Sequence, residues 1–339
     1  MAETRVFRVS DPPRVLSDYG RAMSLGEDHS NGNMLPGSDF VPPGSWDCHM
    51  HCFDPVRFAL SPDRAYTPNP ASLSSYEAWS PFDNVIIVQA TIEAASDGVL
   101  AHVAEGSRRY PGRRFYGTVI SDNTSPEPII NATPRKVDQL HEAGVRCLRI
   151  HCGFGGSKGF DQHVVHDLSR LAESRGIVHY GWAICLRMPL RFWASLLDQV
   201  GQDESLRKAK LVADHVGCAS PSDLSTAEFE AFLDLIRHHN VYVKISALHR
   251  RSPGILKDMK VVVQQLANAA PDRMLWGSDW PHVNTGGKGL EPTPPLSDAD
   301  AMEELRLIKS WLTSEQWKKM LVENPCRVFR GEEAEKATN

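Results

Sequence analysis

Eight short runs rich in β-branched residues, recurring about every thirty to forty residues, constrain this chain more than any other feature of it. They are 45–51, 84–90, 115–120, 145–151, 177–184, 210–215, 241–246 and 274–279. Amphipathic segments fill most of the intervals. In 133–143, Val137, Leu140 and Ala143 fall at helical spacing; in 162–175, Val165, Leu168, Leu171 and Ala172 make one stripe. The segment 226–240 opens on Thr226 as an N-cap, carries Phe229, Phe232, Leu233 and Ile236 on one face, and ends at Asn240. Strand–helix alternation repeated eight times predicts an α/β fold, a (β/α)8 barrel of the TIM type. An open doubly wound sheet is the alternative. Its usual phosphate loop is missing, because the glycines of 153–156 have neither a GxGxxG form nor a following Lys-Ser/Thr.

The barrel is expected over 45–330. Residues 1–44 are rich in Gly, Pro, Ser, Asn and Asp without apolar periodicity. They predict an irregular extension that wraps the domain or a neighbouring copy in a homo-oligomer. After the eighth run come a Gly/Pro-rich loop, 284–295, and two helices, 297–311 and 313–323. The first has Met302, Leu305 and Ile308 as its apolar stripe; the second starts with a Thr313/Gln316 capping box. A charged tail, 331–339, ends the chain. A formal charge of -5 provides no basic field for nucleic acid or an anionic membrane, so neither partner is expected and a small-molecule substrate remains. Seven cysteines, an odd number with no CxxC, read as reduced thiols of a cytoplasmic protein. No secretory h-region is expected, and no run approaches the ~18 apolar residues of a membrane span.

Chemistry in such a barrel sits at the carboxyl ends of its strands. Those positions hold His49 and His51, Gln89 and Thr91, Arg149 and His151, Trp182, His215, Lys244, Ser246 and Arg250, and Asp279 and His282. Five of the eight ends thus deliver a group that titrates or carries charge, which scattered surface charge would not do. Strand alternation puts His49 and His51 on one face, with Cys48, Met50 and Cys52 on the other as packing residues. Lys244 is expected to brace the barrel interior or a neighbouring carboxylate. Gln89 is expected either to satisfy a strand-end backbone group or to touch substrate.

Several segments recur in a familiar order: Asp47-Cys48-His49-Met50-His51-Cys52-Phe53-Asp54-Pro55, Val88-Gln89-Ala90, Asp214-His215-Val216-Gly217, Val243-Lys244-Ile245-Ser246, Trp276-Gly277-Ser278-Asp279-Trp280-Pro281-His282 and Asn324-Pro325. Over roughly 45–330 the chain resembles the amidohydrolase superfamily, in the branch that contains 2-pyrone-4,6-dicarboxylate lactonase and sugar lactonases. The resemblance implies a barrel that hydrolyses lactones or related esters, with or without a metal. It implies that Asp279 is the base that activates water and that His49, His51 and His215 hold or polarise the substrate carbonyl. It also implies that Arg149 and Arg250 grip acidic substituents and that Tyr66 belongs to a substrate-binding first loop. Two cationic positions of the dicarboxylate enzyme are lost, at the glycines of 153–156 and at Cys218. A mono-acidic or neutral lactone follows, one aromatic enough to use Trp182 and Trp280, with His282 also near substrate.

A divalent metal such as zinc is left open. His49, His51 and Asp279 are suitable ligands, and His151 is a further one. However, the fifth run ends at 182–184 without a late histidine, since His179 lies too early. Without a metal the histidines form an oxyanion hole by hydrogen bonding. Two other readings stay open: a metal-dependent decarboxylase acting on an aromatic acid, and a barrel recruited to a biosynthetic step such as dehydration or to binding alone.

Overall fold

In the computed structural model, the described residues are 40–121, 129–151, 162–287 and 289–330. The chain divides into two units, Met1–Pro36 and Gly37–Asn339, and every described residue belongs to the second. The expectations for the extension up to residue 39, for 153–156 and for the tail 331–339 lie outside the described residues.

Eight parallel strands pair in chain order: β1 (Trp46–Met50), β2 (Asn84–Val88), β3 (Arg114–Ile120), β4 (Val145–His151), β5 (Ala183–Arg187), β6 (Lys210–Ala213), β7 (Val241–Ile245) and β8 (Met274–Trp276). Every strand sends residues inward to one cluster, among them Trp46, Ile86, Cys147, Cys185, Val212, Tyr242 and Leu275, with Tyr116 against it. Their outward neighbours, such as Val119, Leu148, Ile184, Leu211, Val243 and Trp276, pack beneath the helices. Burial on both faces is what the continuous apolar runs required. The main outer helices are α1 (Asp97–Arg109), α2 (Pro134–Glu142), α3 (Gln162–Ala172), α4 (Leu190–Gln202), α5 (Ala227–His238), α6 (Met259–Ala269) and α7 (Ala301–Trp311). Side-chain caps start several of them: Thr133 accepts from Lys136 N, Thr226 from Phe229 N, and Asp300 from Met302 N and Glu303 N. The Thr313/Gln316 capping box also forms. Among the described residues no helix is long and apolar enough to cross a membrane.

β8 and β1 close the ring through a single parallel bridge, Met50 to Trp280. Asp279 N donates to His49 O and His51 N to Trp280 O, each at 2.8 Å. The buried Asp47 carboxylate reinforces this seam: its Oδ1 accepts from Ser278 N (2.9 Å) and His49 N (3.0 Å), and its Oδ2 from the Tyr76 hydroxyl (2.9 Å). Gly277 makes the approach sterically feasible, because a Cβ there would stand 2.5 Å from His49 Cβ.

Two local expectations change. β5 begins at Ala183 and ends at Arg187, not at 182–184. The β-branched residues before it form a short helix, Arg175–Val178, which leads through Gly181 (φ 63°) into the strand. The pairing of β1 with β2 shifts register between Asp47 and Met50. This bulge breaks simple alternation. Cys48 therefore packs in the interior with Cys147 and Cys185, while Met50 and Cys52 face the outer layer. At the start of the described barrel unit, Phe40 packs on Trp317, and its carbonyl accepts from Lys309 Nζ.

Candidate active site

The strand ends converge on Asp279. Its Oδ1 lies 3.6 Å from His51 Nε2, 3.8 Å from His49 Nε2 and 3.9 Å from His215 Nε2. Arg250 Nε donates to its Oδ2 at 3.1 Å, and Arg250 Nη2 to Val283 O at 2.9 Å. Burial opposes ionisation of this carboxyl, but His215, Arg250, His51 and His49 together hold it well below the usual carboxylate range. A base in this position is ionised and aimed at the point where the three imidazoles meet.

Each imidazole is oriented from behind. His51 Nδ1 donates to Val88 O at 2.7 Å, which leaves Nε2 as its free nitrogen. His215 Nδ1 shares a 2.8 Å hydrogen bond with Ser246 Oγ. His49 Nδ1 faces Asp214 Oδ1 (3.4 Å) and Lys244 Nζ (3.3 Å). Burial above all, with Lys244 adding to it, lowers the His49 pKa to about 3, so this ring is neutral. Burial likewise holds His215 well below its ordinary value.

Under the histidines lies a sealed ionic layer. Asp214 contacts Lys244 Nζ at 3.0 Å and Arg149 Nε at 3.2 Å, and both Asp214 and Lys244 are fully buried. Burial disfavours both charges, yet Lys244, His49 and Arg149 keep the Asp214 carboxyl far below its usual range. Lys244 therefore braces a carboxylate, as its sequence position suggested. In the sequence Asp214 is only the residue before His215, because nothing local marks an aspartate whose partners Arg149 and Lys244 are 65 and 30 residues away.

Above the layer opens a cavity of about 680 Å³, lined by His51, Tyr66, Thr91, Arg149, His151, His215, Arg250 and Asp279 among others. Burial, and next to it the Asp279 charge, push the Tyr66 hydroxyl up to about 12, so it stays protonated. Gln89 lies beneath the surface rather than on it: its Oε1 accepts from Ile120 N (2.9 Å) and its carbonyl from Arg149 Nη1 (3.0 Å). His282 sits behind Asp279, donating its backbone N–H to Asp279 O at 2.9 Å, and does not line the cavity.

Trp182 is the clearest correction. It precedes β5 instead of ending it, packs against Gly176, and donates from Nε1 to His141 Nδ1 at 3.0 Å. Neither Trp182 nor Trp280 lines the cavity, so the aromatic stacking expected of them does not arise there. The end of β5 instead supplies Arg187, and the segment after β7 supplies Arg251; both line the cavity beside Arg149 and Arg250. The expectation of a mono-acidic or neutral ligand rested on two lost cations, and two arginines return from other positions.

The wall after β7 holds a second group that the sequence did not reveal. His249 Nδ1 lies 2.6 Å from Glu304 Oε1, and Glu304 also accepts from Leu248 N (3.1 Å) and His249 N (3.0 Å). Both residues line the cavity. Glu304 lies on α7, where the apolar stripe was visible but an inward glutamate was not.

Backbone strain collects here. His215, Val216, Cys218, Ala247, Asp279 and His282 all have φ between 52° and 61°, a region costly for residues with a Cβ. All follow β6, β7 or β8.

The metal-capable group among the described residues is His49, His215 and Asp279, whose donor atoms lie within 4.8 Å of one another. His215 thus takes the place assigned to His51 in the expected set. His49 Nε2 is buried without a hydrogen-bond partner, an orphan that an ion would satisfy. Two neutral imidazoles and a carboxylate suit zinc.

The profile of the family described as Amidohydrolase matches residues 46–331. A 2-pyrone-4,6-dicarboxylate hydrolase from Comamonas testosteroni is 29% identical over 317 residues, covering 86% of this chain and 92% of its own. A 4-sulfomuconolactone hydrolase from Hydrogenophaga intermedia is 26% identical over 297 residues, covering 85% and 89%. An apo structure from Agrobacterium tumefaciens matches with a TM-score of 0.66 at 23% identity, covering 86% of this chain and 97% of its own, a likeness of fold.

Proposed function

Because the chain belongs to the amidohydrolase family, we propose that it is a hydrolase that opens an anionic lactone with a water molecule activated by Asp279. The observation that carries this reading is the convergence of three Nε2 atoms on one ionised carboxylate oxygen at the floor of the cavity. Asp279 accepts a proton from water as the water oxygen bonds to the lactone carbonyl carbon. Negative charge then develops on the carbonyl oxygen, where His49 and His215 can donate from Nε2; His51, whose proton is held on Nδ1 by Val88 O, offers Nε2 only as an acceptor to the attacking water. Donors fixed in a water-poor site stabilise such charge without reorganising, commonly by ~3–4 kcal/mol per donor. Tyr66 supplies a neutral hydroxyl to the bound ring. Arg149, Arg187, Arg250 and Arg251 favour a substrate bearing at least one carboxylate or sulfonate. The Comamonas testosteroni and Hydrogenophaga intermedia relatives are hydrolases of a dicarboxylate and of a sulfonated lactone, which agrees with that composition.

A divalent ion would be held by His49, His215 and Asp279, and it would supply Lewis-acid polarisation of the carbonyl. The two environments ask different things of His49. Donation from Lys244 to Nδ1 puts a proton on Nε2 and makes it an oxyanion donor. Donation from Nδ1 to Asp214 leaves the Nε2 lone pair for an ion.

The test is hydrolysis of a panel of neutral, mono-acidic and di-acidic lactones, with metal content measured before and after chelation. The expected result is ring opening to the hydroxy acid, fastest for acidic members. Decarboxylation of an aromatic acid with no lactone turnover would favour the lyase alternative and remove this reading.

A further inference from the structure

Tyr66 stands on the loop between β1 and β2, and a hydroxyl carried by a loop acts on a bound ring only if other groups hold it in place. The Gly/Pro-rich segment after β8 holds it. Thr67–Pro68 and Pro292–Thr293 pair as a short parallel ladder, with Thr67 opposite Pro292 and Pro68 opposite Thr293. Gly289 grips the residues on both sides of Tyr66. Its N–H donates to Ala65 O at 3.2 Å, and its carbonyl accepts from Thr67 Oγ1 at 2.9 Å. The Thr67 hydroxyl has a fixed direction: it accepts from Arg64 Nε at 2.7 Å, so its own proton goes to Gly289 O. Arg64 is held in turn, since its Nη1 donates to Ser61 O at 2.9 Å. Successive side chains of an extended segment point to opposite sides. Thr67 thus faces the clamp while Tyr66 lines the cavity, in one apolar cluster with Val283 at the root of the loop after β8. That root is anchored as well, because Leu296 N donates to His282 O and Arg250 Nη2 to Val283 O, each at 2.9 Å.

We propose that Thr67 and Gly289 are positioning residues for substrate binding: their clamp between the first loop and the loop after β8 holds the Tyr66 hydroxyl against the ring of the bound lactone. This rests on the lactone reading above. Neither residue lines the cavity, so the clamp touches no substrate and its effect passes through Tyr66. A hydroxyl displaced by ~1 Å loses much of its hydrogen bond. Breaking the clamp therefore costs about as much as removing the hydroxyl, and costs little once the hydroxyl is gone. A residue that only braces the fold shows no such dependence.

The experiment is a double-mutant cycle on an acidic lactone that the wild type opens, read as kcat and KM. Thr67→Val removes the hydroxyl at nearly constant shape. Gly289→Ala attacks the clamp from its other side: a Cβ there meets no atom within 4 Å, but φ 75° disfavours any residue that carries one. Each is made alone and in a Tyr66→Phe background, with Thr67→Ser as the variant that keeps the hydroxyl. Tyr66→Phe should raise KM about 5–10-fold, as expected for one neutral hydrogen bond. Thr67→Val and Gly289→Ala should each raise KM about 3–10-fold with kcat within about twofold, and Thr67→Ser should stay within about twofold of wild type. In the Tyr66→Phe background neither clamp variant should add more than about twofold. The same loss in both backgrounds would overturn the positioning role, as would an unchanged KM in Tyr66→Phe or in both clamp variants. Circular dichroism verifies the fold, and either clamp variant completes a cycle if the other is lost. These outcomes leave the lactone reading in place, whereas wild-type protein that opens no lactone of the panel overturns both.

Discussion

The floor of the site and the wall after β7 solve opposite problems with similar side chains. On the floor, Asp214, Lys244 and His49 are sealed from solvent, and Asp214 pairs with Lys244 and with Arg149, which borders the cavity above. On the wall, His249, Glu304, Arg250 and Arg251 border the cavity, and His249 keeps one nitrogen unpartnered. Burial makes a charge costly unless it is paired, so the Asp214–Lys244 pair has no slack and functions as structure beneath His49 and Arg149. The wall presents Arg250 and Arg251 to the cavity. Changes to the floor should therefore appear first in stability and changes near the cavity first in rate.

Asp279 lies where the two regions meet and should give the largest effect. Asp279→Asn keeps the side-chain shape, so steady-state kinetics should show a loss of about 10²–10⁴-fold in kcat with the fold intact by circular dichroism. A variant retaining most of its activity would remove Asp279 as the base. Lys244→Met tests the floor itself. It leaves Asp214 with only Arg149 and a neutral imidazole, and loss of one partner from a buried pair costs about 3–5 kcal/mol. Urea denaturation should show that loss; a stability change below ~1 kcal/mol would mean that Arg149 alone suffices.

Glu93 sharpens the contrast, because it is a buried carboxyl without the floor's lysine. Burial raises its pKa to about 8, against the backbone N–H of Ala90 at 2.7 Å and the more distant Arg149, which lower it. Below pH about 4.5 folded and unfolded chains both carry the proton, and this contribution is at its most favourable. As pH rises from there towards 8, only the unfolded state loses its proton. Stability then falls, at most by ~1.4 kcal/mol per pH unit. Glu93→Gln, which keeps an oxygen for Ala90 N, should flatten that slope in unfolding curves measured between pH 5 and 8. An unchanged slope would show that other groups carry it.

Trp182→Phe should give the smallest effect. Its indole donates to His141 well away from the cavity, so about 1 kcal/mol of stability is at stake. Turnover and KM should stay within about twofold of wild type. A larger change in KM for acidic lactones would return Trp182 to the site.

Periodicity and residue type carried the repeated alternation that makes the barrel, and the caps at Thr133, Thr226 and Thr313. They also placed His49, His51, His215, Arg149, Arg250 and Asp279 near strand ends, because both signals are local and a barrel sends every strand end to one place. What only the tertiary structure decided was which neighbours those ends acquire. The bulge in β1 turned Cys48 inward beside His49, since register depends on the partner strand. The end of β5 moved to Arg187, because a β-branched run can pack as a helical turn. Asp214 became the hub of the floor, Asp47 the stitch of the seam, and Glu304 the partner of His249. Each of these bonds joins residues distant in the chain, and a side chain's charge state and role follow from what folding puts beside it.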